Sequence, residues 1–325
     1  MKKTFLTAVL LLGVTMFTIG CGADASTQDT QAPTESTEVQ SDVQETLNIG
    51  ILPAESAIPI ILAYENGYFD EQGLSVTIET FSSPNDRNVA LQAGSLDASI
   101  GDVMTAATFV DHGLDMVITS DIPEDFKILS SPNSGITSLD QLSGKRISLV
   151  PNFILEYIMD QFAEEYGFEY EVVEIASFSA RAEALMSDQI DGVVYTEPTA
   201  GMLVAQGAHL LGSSKEAGIK GGTLMFTQSM IDTRGDDISS FYLAYNKAID
   251  YMNSTDVSEY SSILAGYQFP ESIDDYLTGQ YGTFAHAGTI EKEQFDSIIS
   301  WTVEKGQITK SYTFDELTNY SFIAN

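Results

Sequence analysis

The 325-residue chain has one cysteine, three histidines and one tryptophan, and 14 Lys and Arg against 47 Asp and Glu. So few thiols and imidazoles exclude a disulfide scaffold, a thiolate zinc site and a multi-cysteine redox centre. A formal charge of −33 excludes a generic nucleic-acid binder, because phosphates are repelled over most of such a surface. There is no Gly-rich phosphate loop, histidine pair or serine nucleophile elbow, so no enzyme, catalytic residue, metal or cofactor is expected. No segment beyond the first twenty residues is apolar enough to span a bilayer. What is present is a large apolar fraction, 43% hydrophobic and 10% aromatic, enough for a substantial core. The length exceeds one compact unit of usual size and favours two lobes.

Met1-Lys2-Lys3 precedes an apolar run from Phe5 to Ile19, and Gly20-Cys21-Gly22 follows. A charged start, a short apolar stretch and small residues are the parts of an export signal. The sole cysteine just past the run makes residues 1–21 resemble a bacterial lipoprotein signal peptide. That resemblance implies acylation (palmitate) of Cys21, which becomes the first residue; Thr18 stands where a Leu is usual. Ordinary secretion or an uncleaved anchor are the alternatives. Residues 22–45 hold six acids and no Lys, Arg or aromatic residue. Such a composition cannot order itself and forms a disordered acidic tether, roughly 25–30 Å from end to end. Removal of Lys2 and Lys3 leaves 12 basic against 47 acidic residues, so the body does not adhere to anionic lipid by charge. The expected location is the extracellular face of the bacterial cell membrane, held by the lipid on Cys21.

Beyond the tether, strands and helices alternate. Strands are expected at 47–52, 74–81, 98–101 and 116–120, with a helix over 85–93. The order returns with strands at 147–150, 170–175 and 192–195 and a helix over 179–186. Alternation of this kind predicts mostly parallel sheets with covering helices. A constant shift of 94 residues superposes the two stretches: Gly73 falls on Gly167, Ser83 on Ser177, Arg87 on Arg181, Leu91 on Leu185 and Asp97 on Asp191. After one more strand at 223–227 come helical stripes, Ile238, Phe241, Tyr242, Tyr245 and Ile249, then Phe295, Ile298, Ile299 and Thr302. This tail is expected to cover the first lobe. The chain then crosses between lobes near Ser131 and again near Gly222, which makes a hinge and a cleft. The expected limits are 46–131 with 223–325 for lobe one and 132–222 for lobe two.

Ligands of open α/β sheets sit beyond the carboxyl ends of the strands, where helix N-termini offer free N–H groups. The candidates there are Glu55, Ser56, Ala57 and Ile58, then Ser82 and Ser83, then Asp102, Met104 and Thr105. From the second unit come Asn152 and Phe153, Ser179 and Arg181, and Tyr195 and Glu197. Each has a plain alternative: Ser83 or Ser179 as a helix cap, Tyr195 or Phe153 as core. Arg87 and Arg181 lie in helix first turns, where the dipole disfavours a cation. They serve either an ion pair or the cleft.

The segments Ile60 to Phe69 with Gly73-Leu74, Ala90 to Asp97, Leu139 to Arg146, Gln189 to Gly192 with Glu197-Pro198, and Trp301 before Glu304-Lys305-Gly306 resemble one family in order and spacing. It is the solute-binding proteins of ABC importers, in the branch of nitrate, sulfonate, taurine and thiamine-precursor binders. The resemblance implies a two-lobed periplasmic-binding-protein-like α/β fold of the second type. Two doubly wound sheets are joined by a two-strand hinge, and a helical C-terminal tail packs on lobe one. It also implies capture of a small-molecule solute in the interlobe cleft and delivery by a monomer to an ABC permease and its ATPase. A cell-surface sensing lipoprotein uses the same cleft, and an enzyme built on the cleft carboxylates is the more distant alternative. Leu52-Pro53-Ala54-Glu55 stands where thiamine-precursor binders carry a Trp, and the cysteine-rich segment of the eukaryotic pyrimidine-synthesising relatives is missing. The solute stays unnamed.

Overall fold

The computed structural model describes residues 45–270 and 273–323, which form one compact unit. The signal segment, Cys21 and all of the tether except Glu45 lie outside the described residues. Ten strands follow in order: Leu47–Ile51 (β1), Val76–Thr80 (β2), Ala98–Asp102 (β3), Met116–Asp121 (β4), Lys127–Ser130 (β5), Lys145–Leu149 (β6), Tyr170–Glu174 (β7), Gly192–Tyr195 (β8), His209–Ser213 (β9) and Gly222–Thr227 (β10). They build two five-stranded sheets, ordered β2-β1-β3-β10-β4 and β7-β6-β8-β5-β9. β1 pairs parallel with β2 and β3, and β6 pairs parallel with β7 and β8. Each sheet takes in one antiparallel strand, β10 in the first and β5 in the second.

The internal near-repeat is structural. A 94-residue shift carries β2 onto β7, the helix Pro84–Gln92 onto Phe178–Met186 and the start of β3 onto that of β8. The stops match too: Gly73 (φ 73°) and Gly167 (φ 69°) both take the left-handed conformation that lacks a Cβ penalty only in glycine. Both helices are capped alike, Ser83 Oγ accepting from Asp86 N at 3.2 Å and Ser177 Oγ from Ala180 N at 3.5 Å. The cap of the second helix is therefore Ser177 and not Ser179, which lies inside the helix. The shift fails at the first strand of each unit, since β1 and β6 start 98 residues apart (145 − 47).

Two strands depart from expectation. β5 belongs to the second sheet, so the first crossing runs through 122–126 and not at Ser131. A lobe-one limit at 131 would leave this strand on the wrong side. The return crossing runs through 214–221. The side chain of Glu124 fastens the two crossings together, accepting from Gly221 N and Gly222 N at 2.9 Å each. β5 and β9 are four and five residues long and lack clear alternation, which hid them in the sequence.

One apolar cluster joins Phe109, Met116 and Ile118 to Phe126 and Ile128 and on to Leu149, Ile158 and Phe162. It is continuous from one sheet to the other. A second cluster covers the opposite face of the first sheet. There the helix Gly235–Ser254 buries Ile238, Phe241, Tyr242, Tyr245 and Ile249, and Phe241 stacks on Phe69 at 5.1 Å. The last long helix, Lys292–Glu304, packs on Val103–Asp111. It also grips the second unit: Trp301 Nε1 donates to Asp160 at 2.9 Å, and Lys305 reaches Glu156 and Asp160 at 2.8 Å each. The tail thus touches both halves, because half-buried carboxylates on the helix Ile154–Tyr166 need the cation and the indole donor it supplies.

Candidate functional site

A cavity of about 70 Å³ opens between the carboxyl ends of β1 and β3 on one side and of β6 and β8 on the other. Leu52, Ala54, Ser56, Ile100, Gly101 and Asp102 come from the first unit, Val150, Phe153, Ile154, Leu155, Phe178 and Thr196 from the second. Ile122 and Phe126 of the first crossing close one end. Most of this wall is apolar. Two helix first turns deliver its cations, Arg87 and Arg181, each the fourth residue of one of the matched helices.

Both arginines are buried, at 2% and 1% exposure, and neither has a carboxylate within ion-pair distance among the described residues. Arg87 donates through Nε and Nη2 to Asn88 Oδ1 at 3.1 and 2.8 Å. Its stem crosses β1 at Gly50, where a Cβ would stand only 3.3 Å from Arg87 Cγ. Burial lowers its pKa to about 10 against the opposing pull of Asp102. The Arg181 guanidinium lies 5.2 Å from the ring centre of Phe178 and 5.1 Å from that of Tyr195. Its Nε and Nη1 donors have no partner, and neither has the hydroxyl of Thr196, which lines the same cavity. Burial lowers the Arg181 pKa as well, with the Tyr195 oxygen opposing. The aromatic faces offset part of the desolvation of this cation, but two buried N–H donors stay unmatched.

Asp102 is the one carboxylate lining the cavity. It caps the helix Val103–Asp111 by accepting from Thr105 N at 2.8 Å, and its other oxygen accepts from Ile154 N at 3.1 Å. One side chain therefore ties the two units across the cleft. Burial raises its pKa, against the hydrogen bonds and the Arg87 charge. With Asp102 committed to backbone donors, the cavity presents a surplus of positive charge.

Of the residues expected at strand ends, Ser56, Asp102, Phe153 and Arg181 line this cavity. Ser82, Ser179 and Tyr195 line a neighbouring recess of about 310 Å³, and Thr105 and Asn152 line another, of about 380 Å³, that shares Phe153. Ala57, Ile58 and Met104 are core residues with no exposure. Ser83 is spent on its cap. Glu197 folds back on Gly201 N at 2.9 Å, leaving its neighbour Thr196 at the wall. Glu55 turns out of the cleft: its carboxyl accepts from Asp125 N and from the Tyr276 hydroxyl in a separate cavity. The strand-end reading passed over Leu52, Ile100 and Val150, since apolar residues at strand ends look like core. Ile122 and Phe126 escape that reasoning as well, because a crossing near Ser131 leaves both inside the first lobe. Arg87 was within reach through its match to Arg181.

Comparison with solved structures shows the same fold. The alkanesulfonate-binding protein SsuA of Xanthomonas axonopodis pv. citri bound to MOPS superposes with a TM-score of 0.73 at 18% identity, over 84% of this chain and 98% of that one. A ligand-binding component of an ABC-type import system from Staphylococcus aureus, with zinc bound, superposes with a TM-score of 0.71 at 15% identity, over 86% and 98%. At such identities the likeness shows the fold. In sequence, 4-amino-5-hydroxymethyl-2-methylpyrimidine phosphate synthase THI11 of Saccharomyces cerevisiae is 29% identical over 149 residues, which is 45% of this chain and 44% of the yeast protein. The chain spans less than half the length of the curated relatives it matches. The description NMT1/THI5 like fits residues 55–255, from the cleft end of β1 to the end of the helix Gly235–Ser254, and the chain belongs to that family.

Proposed function

We propose that this chain is the extracytoplasmic solute-binding component of an ABC importer, and that its solute is a compact anion carrying an apolar group. One observation carries the reading. Two buried arginines, related by the internal repeat, face one cavity from opposite sides without a carboxylate partner, and Arg181 and Thr196 keep unmatched polar atoms there. An oxyanion supplies the acceptors that Arg181 lacks and meets the Arg87 charge from the other unit, so it stabilises the closed arrangement. Only such a difference in affinity can shift an open–closed balance. The cavity has about half the volume that admits benzene, so a larger solute requires the two units to part. The units themselves are proposed as 46–121 with 222–325 and 127–213, joined by the two crossings. Lipidation at Cys21 and the acidic tether would hold the body at the outer face of the membrane, beside the permease that receives the solute.

A sensing lipoprotein shares all of this chemistry. Loss of solute uptake on deletion of the gene, with the solute still bound by purified protein, assigns transport; retained uptake with altered expression of solute-responsive genes assigns sensing. The synthase name of the yeast relatives raises an enzyme reading. Against it, the chain's sole cysteine is Cys21 and the one cleft carboxylate is engaged by two backbone donors.

The direct test is native mass spectrometry of the purified protein, followed by thermal melts with nitrate, short-chain sulfonates and carboxylates, pyrimidines and flavins. An anion at one hundred times its Kd adds about 2.7 kcal/mol of stability. If cationic or neutral solutes raise the Tm and no anion does, the reading fails. Anchoring is checked separately: Cys21→Ala should release the protein from the membrane fraction.

A further inference from the structure

A second cavity, of about 170 Å³, lies outside the cleft; Ile122 lines both. Its walls combine Glu55, Asp121 at the end of β4, the crossing residues Glu124 and Asp125, and the aromatic side chains Tyr245, Tyr276 and Phe284. Four carboxyl groups thus meet around one small space, and their partners are unequal. Asp125 pairs with Lys127 at 2.6 Å, and Asp121 faces Lys220 at 3.8 Å. Glu55 and Glu124, 6% and 8% exposed, have no cation within ion-pair distance among the described residues. Their hydrogen bonds come from backbone N–H groups and the Tyr276 hydroxyl, which leaves acceptor capacity on each carboxyl group.

The second observation is Tyr245. It is 1% exposed, it lines the cavity, and its hydroxyl has no hydrogen-bond partner. A buried hydroxyl left unmatched is destabilising. The nearby polar groups are already committed elsewhere: Tyr242 bonds to Thr119 and Ser120, and the Lys215 ammonium reaches Gln280 at 3.4 Å. What would satisfy Tyr245, Glu55 and Glu124 together is a group rich in N–H donors that carries positive charge.

We propose that this cavity binds a small organic ammonium ion, with its nitrogen among the Tyr245 hydroxyl and the Glu55 and Glu124 carboxyl groups and its carbon atoms against Phe284 and Pro123. The volume slightly exceeds that of an engineered cavity known to admit benzene, so the ion is about the bulk of a short alkylamine or a single ring. Aromatic faces suit an organic cation. No group of three or more metal-ligating side chains occurs among the described residues, which sets a metal ion aside. Burial holds Glu55 at about 8 and Glu124 at about 7. The empty cavity therefore keeps protons that an arriving cation displaces. Asp121, Asp125, Lys215, Lys220, His286 and Tyr276 also face it. This proposal is independent of the cleft reading, since Ile122 is the one lining residue the two cavities share.

The test is isothermal titration calorimetry of the purified protein at pH 8 with n-butylamine, its neutral counterpart 1-butanol and its anionic counterpart butyrate. Butylamine is expected to bind with one-to-one stoichiometry, at least about ten-fold more tightly than either counterpart, and to release protons into the buffer. Tyr245→Phe deletes only the unmatched hydroxyl, so it should keep or raise the Tm while weakening butylamine at least about five-fold. Equal binding of butylamine and 1-butanol overturns the proposal. So does the absence of butylamine binding up to about 10 mM, or unchanged affinity in Tyr245→Phe.

Discussion

Replacing Arg181 by Met should make the ligand-free protein more stable and the ligand-bound protein less so. Arg181 is 1% exposed, with Nε and Nη1 unmatched and no ion pair among the described residues. Each buried donor left without a partner costs about 1–3 kcal/mol. Against this stand two aromatic contacts at 5.1 and 5.2 Å, each worth about 0.5–2 kcal/mol for a desolvated cation. Methionine keeps most of the stem volume and can lay its sulfur against the same rings. The net gain for the empty protein is then about 1–2 kcal/mol, or about 2–4 °C in Tm for a body of this size. The same change removes the charge-assisted hydrogen bonds of Arg181 to an anionic solute, at about 1.5–3 kcal/mol, so affinity should drop at least ten-fold. Differential scanning calorimetry of wild type and variant, each with and without the solute identified by native mass spectrometry, reads both effects. A lower Tm for the empty variant would mean that the guanidinium is a satisfied part of the fold. Unchanged affinity would remove Arg181 from the binding surface. Either result refutes the argument.

The buried glutamates set a pH dependence. Glu55 is pushed to about 8 and Glu124 to about 7, chiefly by burial, so the folded protein binds these protons more tightly than the unfolded chain. Their contribution to stability is complete below the ordinary carboxylate range and is lost as pH rises through 7 and 8. The Tm should fall between pH 5 and pH 8.5, and Glu55→Gln, which can still accept from Asp125 N and donate to Tyr276, should flatten that fall; an unchanged slope refutes it. Asp102→Ser keeps a cap for Thr105 N but cannot reach Ile154 N. It should cost about 1 kcal/mol and enlarge the ligand-free protein in small-angle scattering, and an unaltered radius of gyration counts against the tie. Lys305→Met takes the cation from Glu156 and Asp160 and should cost about 1 kcal/mol, read as a lower midpoint in urea. No shift there would mean that Trp301 and the apolar packing alone hold the tail.

Much of the architecture was readable because it rests on local signals. Gly73 and Gly167 stop their helices in a conformation that other residues avoid, and Ser83 and Ser177 start theirs with the same cap. These fixed points let one offset place β7 from β2 and Phe178–Met186 from Pro84–Gln92. β5 carried no such mark, since it is four residues with antiparallel partners on both sides, and so the first crossing was misplaced. Strand-end reasoning reaches residues just past a strand but not the direction of their side chains. Glu55 opens a one-turn helix, Glu55–Ala57, whose turn sends its carboxyl outward while Ser56 stays in the cleft. Arg87 shows the opposite gap: alone, a helix-start arginine reads as half of an ion pair. Only burial without a carboxylate partner gives it another meaning.

The grip of the helix Lys292–Glu304 and its cap Lys305, together with the Asp102–Ile154 hydrogen bond, adds a non-covalent link to the two covalent crossings. Covalent links fix how far apart two bodies can drift; a dissociable one sets how readily they do. That control lies on the helix Lys292–Glu304 and its cap residue Lys305. A fluorophore or fusion partner placed there would alter the quantity it was meant to report, whereas the surface of the helix Phe178–Met186 away from Arg181 offers attachment points clear of that latch.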